Sequence, residues 1–210
     1  IAGPGRYATS CMVANVMIET EMGVWGSLSE AVFLASGENY PDAVSASALG
    51  AGTRWPVVLV DPTNGLDPLA KTTLKRAATA AAVMLGGTAA IPKVIHTQVS
   101  QVIGTVPMRL AGADRYATAV LAARFGVEQI HLSWDRVAIA TGLNYPDALT
   151  GGVLQGRYNS VLLLTHPTSL PPSVGAVLSD NKASIYEVRY LGGPRAVSTG
   201  VRARVADVLR

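Results

Sequence analysis

The sequence predicts an α/β protein made of two tandem, pseudo-symmetric units, each with a parallel sheet covered on both faces. Three observations carry this. The chain matches itself in four places in the same order. Short apolar runs alternate with helix signals in each copy. Hydrophobic residues make up 49% of the 210 and charged residues 15%, which excludes a disordered chain and supplies a real core.

The self-match begins with IAGPGRYATS (1–10) against LAGADRYATA (110–119). SGENYPDAVS (36–45) then matches TGLNYPDALT (141–150), and PVVLVDPT (56–63) matches VLLLTHPT (161–168). VMLGGTAAI (83–91) matches VRYLGGPRAV (188–197) around Leu-Gly-Gly. The offset drifts only from 109 to 105 to 106, so short loop insertions separate two copies of one unit. The expected units are residues 1–105 and 106–210. The first shows only the end of its leading strand, Ile1 and Ala2, so further sequence is expected upstream.

The second copy shows the element order most clearly. Val137–Thr141 is a short apolar run ending at Gly, the signature of a buried strand. Pro146 fits the first turn of a helix, where its missing N–H would be unpaired anyway. Val161–Thr165 is a second strand, and Pro171-Pro172 opens another helix. Tyr186–Leu191 is a third strand, closed by Gly192-Gly193. Ser198 can cap a final helix, in which Val201, Val205, Val208 and Leu209 form one apolar stripe. Ile95, Val99, Val102 and Ile103 repeat that stripe in the first copy. Val106–Leu110 reads as one more strand leading into the second copy. Strands alternating with helices imply parallel pairing through right-handed crossovers.

Composition narrows the function classes. No apolar run approaches the roughly 18 residues that would span a bilayer, so no membrane partner is expected. The single cysteine, Cys11, excludes an internal disulfide and reads as a buried thiol in an apolar helix. The net charge of +3 is uneven. Residues 1–108 carry six basic and seven acidic groups, and residues 109–210 carry eleven and seven. The excess is nearly all arginine but forms no cluster, so a nucleic-acid partner is not expected.

Dinucleotide, nucleotide and hydrolase motifs (GxGxxG, the P-loop, GxSxG) are all missing from the sequence. His96, His131 and His166 have no metal-ligand spacing and no counterparts in the other copy, so no metal or cofactor is expected. What recurs is polar: Arg6-Tyr7 with Arg115-Tyr116, and Asn39-Tyr40-Pro41-Asp42 with Asn144-Tyr145-Pro146-Asp147. Asp114 precedes the second Arg-Tyr pair, but Gly5 stands at its place in the first. Asp42 and Asp147 could serve as general bases, yet no second acid or nucleophile recurs beside them. Helix capping accounts for much of the motif. Asn39 and Asn144 tolerate a left-handed backbone, the prolines set the helix start, and the aspartates face the positive end of the helix dipole. Capping leaves Tyr40 and Tyr145 unexplained. Two-pronged arginine pairing suggests Arg6–Asp42 and Arg115–Asp147 ion pairs that pin the helix to the loop. Gly86-Gly87 and Gly192-Gly193 read as tight turns, or as places where the backbone closely approaches a ligand or a neighbouring unit.

RLAGADRYATA, NYPDAL, VLLLT and YLGGPRAVS, followed by a Val- and Leu-bearing helix, resemble the type 2 cell wall binding repeat of Gram-positive surface proteins. The likeness covers nearly the whole chain as two copies, and the first departs from it at Gly5. The resemblance implies Rossmann-like or Toprim-like three-layer units, usually three around a pseudo-threefold axis. It implies a secreted, non-catalytic module that anchors S-layer proteins, adhesins or autolysins to anionic wall polysaccharide. A further repeat, upstream or from another chain, would then complete the array. Arg6, Tyr7, Asn39, Tyr40, Asp42, Arg115, Tyr116, Asn144, Tyr145 and Asp147 are the expected ligand-binding residues. Arg109, Arg136, Arg157, Arg189 and Arg195 are further basic candidates. Two alternatives stand beside this reading: a surface-layer self-assembly module, and an enzyme acting on nucleotides or phosphoesters on a Rossmann-like fold.

Overall fold

The computed structural model describes residues 1–25, 31–77 and 81–210. Its elements alternate as the sequence predicts. They are α1 (Arg6–Trp25), β1 (Ala31–Ser36), α2 (Tyr40–Ser45), α3 (Ser47–Thr53), β2 (Val57–Val60), α4 (Pro68–Ala77), β3 (Ala81–Leu85), α5 (Lys93–Ile103) and β4 (Met108–Leu110). Then come α6 (Arg115–Ile130), β5 (Ser133–Thr141), α7 (Pro146–Arg157), β6 (Ser160–Thr165), α8 (Pro172–Asp180), β7 (Glu187–Tyr190) and α9 (Thr199–Leu209). The chain forms two compact units, one of residues 1–43 and 54–110, the other of residues 44–53 and 111–210.

In the first unit the strands run in the order β2-β1-β3-β4, all parallel, with Phe33 opposite Val57 and Val83, and Val83 opposite Met108. β1 is AVFLAS, five apolar residues closed by Ser36, with every residue buried, as a parallel strand covered on both faces requires. Val32, Leu34, Val58, Val60, Ala82 and Met84 pack against Cys11, Ala14 and Ile18 of α1, Leu74 of α4, and Ile95 and Val99 of α5. Cys11 is therefore a core residue, and burial pushes its thiol pKa up.

The second unit has the parallel order β6-β5-β7. β5 begins four residues before its apolar run. Its register shifts between Ser133 and Ala138, and the polar residues there join the ladder through Ser160. β7 is shorter than the expected strand Tyr186–Leu191, covering Glu187–Tyr190. Ala138, Ala140, Leu162 and Leu164 pack with Ala119 of α6, Ala148 of α7, and Val44 and Ala48 from the short segment 44–53. α3 lies against α7 at very close range. A Cβ on Gly156 would fall 2.7 Å from the Ala48 carbonyl and the Gly52 nitrogen, so only glycine permits this crossing.

The caps follow the sequence. Ser198 accepts from the Val201 N–H at 3.3 Å, and Asp114 caps α6 by accepting from the Ala117 N–H at 2.8 Å. Pro146 occupies the first turn of α7, and Pro171 precedes α8. One expectation fails. Asn39 and Asn144 are not left-handed; the non-glycine residues with positive φ among those described are Arg54, His131 and Asn159. Asn144 instead accepts from the Tyr145 N–H at 3.0 Å, holding the turn through its side chain. The left-handed step falls at Arg54 and Asn159, matching positions just before β2 and β6, with φ of 62° and 49°.

Candidate functional site

The recurrent polar residues gather at the C-terminal ends of β1 and β5, where open α/β sheets place their ligand crevices. Each unit builds this end the same way. Arg6 donates from Nη1 to the Gly37 carbonyl at 2.6 Å, and Arg115 donates to Gly142 at 2.7 Å. The Tyr7 ring fills the space a side chain on Gly37 would need, and the Tyr116 ring does so at Gly142. The glycine N–H groups bond across the sheet to the Val60 and Thr165 carbonyls at 3.0 and 2.8 Å. One turn along the helix, Thr9 and Thr118 accept from Gly3 and Gly112 at 3.0 and 3.1 Å. The motif Ala-Gly-x-x-Arg-Tyr-Ala-Thr is thus a clamp holding a helix start onto a strand end.

The aspartates point elsewhere. The carboxylates of Asp42 and Asp147 occupy the space where a Cβ would sit on Gly86 and Gly192, whose φ values are 108° and 92°. The first glycine of each Gly-Gly pair is therefore required twice, by its backbone angle and by the carboxylate beside it. The expected Arg6–Asp42 and Arg115–Asp147 ion pairs do not form. Each guanidinium is drawn to the carbonyl at the end of its own strand, while the NYPDA helix carries the carboxylate over to the loop after the neighbouring strand. Asp42 is buried and Asp147 half-buried.

What remains outward is short. Asn39 and Asn144 are exposed, and Tyr40 and Tyr145 are 36% and 50% exposed. A Cβ on the second glycines, Gly87 and Gly193, would meet nothing within 4 Å. These residues also face the strand ends, and the sequence offered no way to separate them from the first glycines. Beside Asp147 an open cleft of about 370 Å³ is lined by Thr150, Leu154, Tyr190 and Gly192. In the first unit a cavity of about 100 Å³ lies under Tyr7, next to Asp61 and Asp67. Burial raises the Tyr7 phenol pKa, and the Asp61 and Glu38 charges add to that. The two hollows do not occupy matching places.

The other basic candidates sort by partner. Arg109 donates to the Gly86 and Ile91 carbonyls at 2.7 and 3.0 Å. Arg136 pairs with Asp135 and Glu187, and Arg189 with Glu187, between the rings of Tyr158 and Tyr186. Arg157 and Arg195 are exposed and form no ion pair among the described residues. Among the described residues no three His, Cys, Asp or Glu side chains come together as a metal site, and no helix is long and apolar enough to cross a membrane. The histidines do local work: His96 with the Pro107 carbonyl at 3.1 Å, His166 with the Thr168 hydroxyl at 3.1 Å, and His131 at the left-handed end of α6.

Known proteins share this architecture. Cwp6 from Clostridium difficile superposes with a TM-score of 0.83 over 99% of this chain and 31% of its own, at 22% identity. Cwp8 from the same organism gives 0.80 over 99% and 33%, at 20% identity. In sequence, the "Amidase enhancer" of Bacillus subtilis is 24% identical over 207 residues, 99% of this chain and 26% of the relative. "N-acetylmuramoyl-L-alanine amidase LytC" of the same species is 26% identical over 211 residues, 100% of this chain and 39% of the relative. The chain thus spans well under half the length of these proteins. The family model described as Cell wall binding domain 2 (CWB2) matches residues 1–96 and again 109–202, one match per copy. With both copies matched, the chain belongs to the cell wall binding domain 2 family.

Proposed function

We propose that this cell wall binding module holds a secreted protein on a Gram-positive wall by binding anionic polysaccharide without turning it over. The contacts would be made at the strand-end loops, by Asn39 and Tyr40 in one unit and Asn144 and Tyr145 in the other. Gly87 and Gly193 would let the polymer approach the backbone. One observation carries this reading: the recurrent residues divide into those set against the glycines at the strand ends and those whose side chains are exposed beside them. Arg6, Tyr7, Asp42, Arg115, Tyr116 and Asp147 belong to the first group and would position the loops. Tyr and Asn suit sugar rings and hydroxyls. Arg157 and Arg195 offer charge to an acidic polymer, so retention should fall with salt.

The test is sedimentation with purified walls before and after hydrofluoric acid stripping. The chain should bind intact walls and lose them after stripping. Tyr40→Ala with Tyr145→Ala should release the wall while the chain stays folded at the assay temperature, as its unfolding transition reports. Equal binding to stripped peptidoglycan, or undiminished binding by the double variant, would overturn the proposal.

A further inference from the structure

One cavity of the first unit is lined by basic and hydroxyl side chains alone. It holds about 350 Å³. Thr88 lines it from the loop after β3, Lys93, His96 and Thr97 from α5, and Arg109 from β4. No carboxylate is among these lining residues.

The fixed charge is Arg109. Two of its N–H groups hold the Gly86 and Ile91 carbonyls at 2.7 and 3.0 Å, which locks the guanidinium in place. It forms no ion pair among the described residues. Burial pushes its pKa down, with no neighbouring carboxylate to offset the lost water. The group stays charged all the same. Lys93 is exposed and also forms no ion pair among the described residues. His96 meets the Pro107 carbonyl through Nε2 at 3.1 Å. The Thr97 hydroxyl donates to the Lys93 carbonyl at 3.2 Å, so it shapes the cavity and holds its proton inside the helix. Two cations and the Thr88 hydroxyl are thus brought together without a protein anion.

We infer that this pocket takes a phosphodiester group of the wall polymer. The inference rests on the wall-binding reading above and gives it a charged contact. The donors come from three elements: a guanidinium from β4, an ammonium from α5 and a hydroxyl from the loop. A tetrahedral phosphate offers oxygens to donors on several sides, whereas a planar carboxylate offers one two-oxygen edge. Gly87, which would let the polymer near the backbone, directly precedes Thr88. The set does not recur. Pro194, Thr199 and Arg202 stand at the places of Thr88, Lys93 and His96. Arg202 is itself engaged, donating to the carbonyls that match those of Gly86 and Ile91, Gly192 at 3.1 Å and Val197 at 3.0 Å. A search for repeated residues therefore passes over this pocket.

The test is an NMR titration of the full chain at ionic strength held constant with chloride. The probes are a diglycerol phosphodiester, inorganic phosphate and glucuronate. The diester should shift the Arg109 Nε–H and the Thr88 and Lys93 amides saturably. Lys93→Thr, the residue the second copy carries there, should weaken binding roughly fivefold, the worth of one exposed ion contact. Thr88→Ala should weaken it less. Lys71→Ala, at an exposed lysine of α4, should leave it unchanged. A response to inorganic phosphate without one to the diester would refute the polymer assignment. An equal response to glucuronate would refute the choice of phosphate. No response beyond that of chloride, or equal losses from Lys93→Thr and Lys71→Ala, would remove the site altogether. No wall is present in this titration, so its failure and a failure of wall sedimentation are separate results.

Discussion

The loop after β2 in the first unit and the loop after β6 in the second make the same turn with different chemistry. In one, the Asp61 carboxylate accepts from the Thr63 and Asn64 N–H groups, both at 2.9 Å. In the other, His166 stands at the matching place and its Nδ1 accepts from the Thr168 N–H at 3.3 Å. Arg109 and Arg202 show the same substitution of means, reaching equivalent carbonyls from a strand and from a helix. Duplication has kept the backbone groups that need partners, and each copy has found its own side chain to supply them. Buried or half-buried backbone polar groups impose a cost unless satisfied, whereas the identity of the partner is open.

That equivalence can be broken most forcefully at the first glycines. Gly86→Ala and Gly192→Ala each force a side chain onto a positive φ and against a carboxylate, and should each cost roughly 2–4 kcal/mol by denaturant unfolding. Unequal losses would show that the two Asp–Gly contacts are not the same device. Next are the clamps. Arg115→Ala should cost about 1.5–3 kcal/mol, as a charged donor to a carbonyl is lost. Arg6→Ala should cost less, because Arg6 is more exposed than Arg115. A smaller effect separates the helix starts: Asp114→Ala should cost about 1 kcal/mol, but Asp114→Gly, the residue the first copy carries, only a few tenths. The smallest effect is the acid sensitivity that Asp61 gives the turn after β2, where His166 stands at the matching place in the second unit. The Asn64 side chain and backbone N–H hold the Asp61 carboxyl below its ordinary range. Its contribution is complete above the unfolded value of about 3.9 and fades as pH falls through the lowered folded value. Asp61→Asn should flatten the stability–pH curve below about pH 4, and an unchanged curve would assign that slope to other carboxylates.

The succession of strands and helices and the helix starts were legible because they rest on local patterns: the apolar runs, Pro146, Ser198, and the stripe of Val201 and Val205. The functional motifs were visible as repeats, but their partners were not. An arginine beside an aspartate motif suggests an ion pair, since sequence displays charges and hides backbone carbonyls. The true acceptors, Gly37 and Gly142, lie at strand ends that only the fold brings to the arginine. The pairing of Asp42 with Gly86 spans 44 positions, so both halves were noticed and their union was not. The early start of β5 was hidden because Ser133, Asp135 and Arg136 pair in the ladder without an apolar pattern.

The glycine-lined crossing of α3 on α7 bears on how such chains can be cut and recombined. By position α3 belongs to the first copy, yet it folds as part of the second compact unit. A gene spliced at the repeat junction would hand the second unit over without that helix, baring Gly152 and Gly156. Splicing ahead of Val44 would keep the pair together. An array grown by inserting repeats must therefore keep two neighbours compatible at once, which ties the permissible order of modules to a few residues too small to draw notice in the sequence.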